Sequence, residues 1–180
     1  MAQEVTKDGI QKIRGYTSYL NIGTTNRGTA FIVKEPLTLY DISQLPSGRG
    51  IIAKCQGVWF VNIYAPSGSA RKKEREDFFN KDVAFLLRDI PTPIILGGDF
   101  NCVLEPSDCT GYFNRSGNLR NLVEGFGLID AWQPTANRHT YTHYTYHGAA
   151  RLDRFYITRD LQKKKLVRRP SSFPLRTTLQ

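Results

Sequence analysis

The chain has 180 residues, 40% of them hydrophobic, which suits one domain with a real core and excludes both wholesale disorder and two comfortable domains. Lys and Arg number 25 against 16 acids, a formal charge of +9; a polyanionic partner is the natural hypothesis, with solubility alone as the bland one. No apolar run reaches bilayer-spanning length and Met1-Ala2-Gln3-Glu4 does not open a signal peptide, so neither membrane nor export is expected. The three cysteines, Cys55, Cys102 and Cys109, form no tight pair. They point to a reduced, intracellular protein rather than a disulfide framework, and Cys102 and Cys109 lack the spacing of a zinc site.

In chain order, Gly28–Val33, Ile51–Ala53 and Val58–Tyr64 are β-rich, near-continuous apolar runs, which suit strands buried in a layered core. Pro46-Ser47-Gly48 and Pro66-Ser67-Gly68 punctuate them as turns. Phe79, Val83, Leu86, Leu87 and Ile90 then fall on one face of a helix, with Ser69 as its N-cap and Pro91 as its stop. Pro93–Leu96 is a short buried strand running into Gly97-Gly98. A second helix is expected over Ser116–Phe126, closed by Gly127. Strands return at Thr140–Tyr146 and Arg151–Thr158. Residues 160–180 are basic, carry Pro170 and Pro174, and show no clean period, so an irregular tail is expected there.

Asp99 and Asn101 are two apart after a buried strand, where i and i+2 share a side. A carboxylate and an amide so placed can orient and deprotonate a water and hold a phosphate oxygen; a simple Asx turn, with both side chains bonding their own backbone, is the alternative. Asn62 and Tyr64 repeat the spacing at the end of an apolar strand. The phenol can donate to a phosphate oxygen, or serve only as an amphipathic cap on the core. Asp153, between Leu152 and Arg154, is either a site acid or a partner of Arg151.

Gln3-Glu4, Asn62-Ile63-Tyr64-Ala65-Pro66, Gly97-Gly98-Asp99-Phe100-Asn101, Leu128-Ile129-Asp130-Ala131-Trp132, Tyr141-Thr142 and Arg151-Leu152-Asp153 stand in this order along the chain. Together they resemble the motif set of apurinic/apyrimidinic-type endonucleases in the exonuclease–endonuclease–phosphatase superfamily. The nearer resemblance is to the endonuclease domain of non-LTR retrotransposons. It implies an α+β fold, a four-layer α/β/β/α sandwich, over residues 1–160, followed by a divergent basic tail at 161–180. It also implies roles. Glu4 would bind Mg²⁺, or Mn²⁺ in its place. Asp99 would orient or deprotonate the attacking water, and Asn101 would hold the phosphate. Tyr64 would stabilise charge on the phosphoryl oxygens, and Asp153 would orient a catalytic histidine. Asn62, Thr142, Arg151 and Arg27 are substrate contacts by the same resemblance. The implied partner is DNA, nicked on one strand in the nucleus, with neither a membrane nor an obligate protein partner.

The sequence departs from that pattern in places. Ser67 stands where related sequences often carry an Asn. The family's first strand bears an Asn that supports the metal site, whereas here Met1 lies just ahead of Gln3-Glu4. The family's closing Ser-Asp-His strand is also absent; the histidines are His139, His143 and His147. The expectation is therefore a truncated or rearranged copy that lacks edge or core strands at both termini, with open edges. Activity would be weak or absent, since losing one acid–base group commonly costs ~10²–10⁴ in rate. The alternatives are a non-catalytic basic nucleic-acid-binding remnant, a phosphatase or sphingomyelinase-type member of the superfamily, and a fragment that does not fold alone. No reverse transcriptase is encoded in these residues.

Overall fold

A computed structural model describes residues 1–9, 13–111, 115–132 and 141–165, with residues 163–165 as backbone. Its strands are β1 (Ala2–Val5), β2 (Tyr16–Ile22), β3 (Gly28–Lys34), β4 (Tyr40–Gln44), β5 (Gly50–Cys55), β6 (Val58–Tyr64), β7 (Ile94–Asp99), β8 (Leu128–Asp130), β9 (His143–Thr145), β10 (Gly148–Ala150) and β11 (Asp153–Thr158). The helices are α1 (Lys72–Asp77), α2 (Ala84–Arg88), α3 (Gly117–Gly125) and α4 (Arg159–Lys165). A π-helical turn, Phe78–Val83, joins α1 to α2.

Six strands form the large sheet in the order β4-β5-β6-β7-β11-β8, and three form a small sheet, β1-β3-β2. Strands β6 and β7 run parallel, because the helical crossover through α1 and α2 returns the chain in the same direction; the other paired strands named here are antiparallel. The apolar face of that crossover, with α3, packs on the large sheet around Val61, Ile63, Phe79, Leu96 and Phe100. The opposite face of the large sheet meets the small sheet around Phe31, Leu39, Ile51 and Ala53. The result is an α+β sandwich in which, among the described residues, helices α1–α3 and the two sheets form three of the four expected layers. The small sheet does not reach across the whole of the larger one. An apolar cavity of about 630 Å³, lined by Met1, Phe31, Phe60, Trp132 and Phe155 among others, lies beyond it.

The expected strands at Gly28–Val33, Ile51–Ala53, Val58–Tyr64 and Pro93–Leu96 fall within β3, β5, β6 and β7. Helix α3 begins as expected: the Ser116 hydroxyl accepts from the Leu119 N–H at 3.0 Å, and Gly127 past its end has a φ of 59°. Other expectations need correction. Ser69 caps nothing; it lies inside a short 3-10 turn whose N-cap is Gly68. Residues 159–165 form α4, so the stretch expected to be irregular starts as a helix; residues 166–180 lie outside the described residues. Thr140 and His139 also lie outside them, and the strand expected over Thr140–Tyr146 is β9 alone. Among the described residues no helix is long and apolar enough to cross a membrane.

Candidate active site at the strand ends

Because β6 and β7 are parallel, both bring their C-terminal residues to one edge of the large sheet, and β11, antiparallel to β7, starts at that edge. The registers Tyr64↔Asp99 and Asp99↔Asp153 set a phenol and two carboxylates in one row over three strands. Strands lie about 4.8 Å apart, so the row spans roughly 10 Å. Ligands of open sheets with parallel strands commonly sit at such an edge.

Local sequence explains how Asp99 is held. A Cβ on Gly98 would stand 2.0 Å from the Ile63 carbonyl oxygen, and the residue has a φ of 142°; only glycine lets β7 close on β6 here. Phe100 is fully buried, stacked 6.2 Å from Phe79 and edge-on to Tyr156 at 5.2 Å. Its anchorage leaves Asp99 and Asn101 at the surface of the core. Asn101 folds back on Asp99: its backbone N–H donates to Oδ1 at 2.9 Å, and its Nδ2 donates to Oδ2 at 2.9 Å and to the Ala65 carbonyl at 2.9 Å. The Asx turn is therefore present, and it fixes the carboxylate at the sheet edge. Burial pushes the Asp99 carboxyl up to about 6; the Asn101 backbone and side-chain bonds pull it down, and the charges of Asp153 and Glu4 push it up further.

Glu4 arrives from the small sheet. The β1–β3 register shifts between Gln3 and Val5, and Glu4 has a φ of 56°. Such a bulge re-aims a side chain. Glu4 Oε1 accepts from the Tyr64 hydroxyl at 2.8 Å, and Oε2 pairs with Arg27 Nη1 at 3.3 Å. Burial and the bond to Glu4 both raise the Tyr64 phenol, which stays protonated; Ser67 also interacts with it. Arg49 went unnoticed in the sequence. Its guanidinium carbon lies 4.9 Å from the Tyr64 ring centre, and its Nη1 donates to the Tyr64 carbonyl at 3.2 Å. Only the β5–β6 pairing, Gly50 opposite Ile63, brings it there.

Two expected substrate contacts are buried among partners inside the protein. Asn62 is fully buried. Its Nδ2 donates to the carbonyls of Ala2 and Ala30, both at 2.9 Å, and its Oδ1 accepts from Gln3. It staples β6 to β1 and β3 between the two sheets. Arg151 does not pair with Asp153 in the way considered above. It is 8% exposed and bonds Asp108 at 2.9 Å and Asp130 at 2.7 Å. Arg154 completes this buried cluster with a 2.7 Å bond to Asp108. Burial pushes the Asp108 carboxyl up, but the bonds and charges of Arg154 and Arg151 outweigh it and hold the group below its usual range. Thr142 lies at the base of the row. Its hydroxyl accepts from the backbone N–H groups of Leu152 at 3.0 Å and Asp153 at 3.1 Å, so it steadies the start of β11. The Asp153 carboxylate is exposed.

Glu4, Asp99 and Asp153 offer hard oxygen donors; burial is the main cause of the raised Asp99 carboxyl, and the smaller push from the charges of Asp153 and Glu4 is what a divalent cation would relieve. Among the described residues no three acid, His or Cys side chains close on one point.

A model of the endonuclease/exonuclease/phosphatase family matches residues 2–172. A 149 kDa protein of transposon TX1 from Xenopus laevis is 31% identical over 113 residues; the match spans 58% of this chain and 8% of that protein. Similar folds include a 3'-5' exonuclease from Neisseria meningitidis, with TM-score 0.73, 21% identity, and 89% and 75% of the two chains covered. An AP endonuclease from Archaeoglobus fulgidus matches with TM-score 0.68 and 20% identity over 83% of this chain and 69% of that one. The endonuclease domain of TRAS1, a telomere-specific non-LTR retrotransposon, matches with TM-score 0.59 and 18% identity over 84% and 70%.

Proposed function

The chain belongs to the endonuclease/exonuclease/phosphatase family, and on that premise we propose that it is a Mg²⁺-dependent phosphodiesterase domain of a retrotransposon-like element, built to nick DNA in the nucleus. The observation that carries this reading is the row Tyr64–Asp99–Asp153 with Glu4 closing over it from the second sheet. Glu4 would hold the ion, Mg²⁺ or Mn²⁺, which supplies positive charge to the phosphoryl oxygens when bound. Asp99, raised to about 6, is mostly ionised at neutral pH yet basic enough to take a proton from the attacking water. Asn101 holds that carboxylate still and lies where its amide can turn to a phosphate oxygen. Tyr64 keeps its proton and donates a hydrogen bond to the charge that develops.

Asp153 has the role of orienting a histidine. The chain's histidines are at 139, 143 and 147, and His143 and His147 lie on or beside the β9–β10 hairpin. We therefore expect this 180-residue polypeptide by itself to nick slowly, by ~10²–10⁴ relative to a complete site. Its net charge favours DNA over a lipid or inositol phosphate as the substrate.

A plasmid-nicking assay with and without Mg²⁺ tests this. Slow, metal-dependent conversion of supercoiled to open-circular DNA is expected, with Asp99→Ala reducing it at least ~100-fold. Fast nicking would overturn the weakened activity. DNA binding with no metal-dependent nicking would favour the non-catalytic binder, and preferential hydrolysis of a phospholipid would favour the phosphatase-type alternative.

A further inference from the structure

We propose that Arg27 is a stand-in cation on Glu4 that metal and DNA displace together, so that one arginine couples binding of the ion to binding of the nucleic acid. This rests on reading Glu4 as the metal-holding carboxylate.

Both oxygens of Glu4 are in use: Oε1 accepts from Tyr64 and Oε2 pairs with Arg27. The carboxylate cannot turn that second oxygen to an ion while the guanidinium sits against it, because the two cations would repel. The root of Arg27 is also built into place. Its carbonyl accepts from the Gly23 N–H at 3.0 Å, and the next residue, Gly28, pairs with Val5 across the bulge that carries Glu4. A Cβ on Gly28 would stand 1.8 Å from the Asn21 carbonyl oxygen, so the hairpin is closed as tightly as glycine permits. The Arg27 side chain is 58% exposed, so a ligand in solvent can reach the guanidinium. A phosphodiester passing the Tyr64–Asp99–Asp153 row offers it a forked anionic partner, which suits arginine better than lysine.

The coupling then follows from charge. An ion on Glu4 repels Arg27 and releases it to the phosphate. A phosphate that draws Arg27 away uncovers Glu4 for the ion. By linkage, each ligand must strengthen the other by the same factor.

The test measures Mn²⁺ binding, from the electron paramagnetic resonance of the free ion, on the wild type, Arg27→Gln and Glu4→Gln. Each is titrated with and without a cleavage-resistant phosphorothioate duplex, and duplex binding is followed by fluorescence anisotropy. The duplex should raise wild-type Mn²⁺ affinity about two- to fivefold, the range of an exposed ion pair. Without duplex, Arg27→Gln should bind Mn²⁺ more tightly than the wild type by about the same factor. It should also lose most of the mutual enhancement in both directions. Equal Mn²⁺ affinity and equal enhancement in the wild type and Arg27→Gln would overturn the role of Arg27 while leaving the metal site intact. Unchanged Mn²⁺ binding by Glu4→Gln would overturn the metal reading itself, and the coupling with it.

Discussion

Asp99 and Asn62 illustrate at the residue scale how alike two polar side chains can look in a sequence and how differently they act. Both lie at the end of an apolar strand, two residues from another polar group. Asn62 is sealed between sheets with every polar atom bonded inside the protein. Asp99 is held by Asn101 but stands at the edge, its carboxyl raised by burial to about 6 against 3.8. The folded chain therefore keeps a proton that the unfolded chain has lost between these values. The stability this group contributes is complete below about pH 4 and is lost as pH rises through about 6. Asp99→Asn should stabilise the metal-free protein at pH 7 by on the order of 1 kcal/mol, read as a higher melting temperature, a gain limited because the amide mimics only one of the two accepting oxygens. The gain should shrink towards pH 4. Melts at the two pH values check this; a gain independent of pH would rule out relief of a buried charge.

Short devices do the positioning at the scale of elements. The bulge in β1 turns Glu4 towards Tyr64, Phe100 ties the end of β7 into the aromatic core, and the Asp108–Arg151–Arg154–Asp130 cluster ties the start of β11 to the turn before Cys109 and to β8. Removing one partner of such a cluster leaves buried charges unpaired. Asp108→Ala should cost about 3–5 kcal/mol in urea unfolding. Asp108→Asn keeps the volume and one accepting oxygen but neither the charge nor the second acceptor, so its loss should approach that of Asp108→Ala; a near-zero loss would mean that packing rather than charge holds the cluster. The legibility of elements followed their burial. Strands β6 and β7 and helix α3 carry dense apolar patterns and a Ser116 cap, and were readable. Strand β4 is exposed along its whole length and β2 mixes tyrosines with polar residues, so neither carries the alternation that marks a half-buried strand.

For the whole molecule, the net charge of +9 sits with a site whose own groups are mostly acidic. Arg27 and Arg49 flank those acids, an arrangement that admits a polyanion without repelling it from the catalytic row. Duplex binding should accordingly weaken about tenfold or more between about 50 and about 200 mM salt, because each phosphate neutralised releases counterions. Anisotropy titrations at several salt concentrations measure the slope; a flat response would argue that the charge serves solubility alone.

The sequence by itself determined the ordered motifs and the buried strands that end in Tyr64 and Asp99, because periodicity is a local property; it left Asp99 and Asn101 open between a shared extended face and an Asx turn, and the folded chain takes the turn. The tertiary structure decided which polar residues in those motifs face outward. Asn62 and Arg151 became internal fastenings, Arg49 and Arg27 came to the acidic edge, and Glu4 met a phenol 60 positions away. Burial and partnership depend on how two sheets pack and on one bulge in register, neither of which a local pattern encodes.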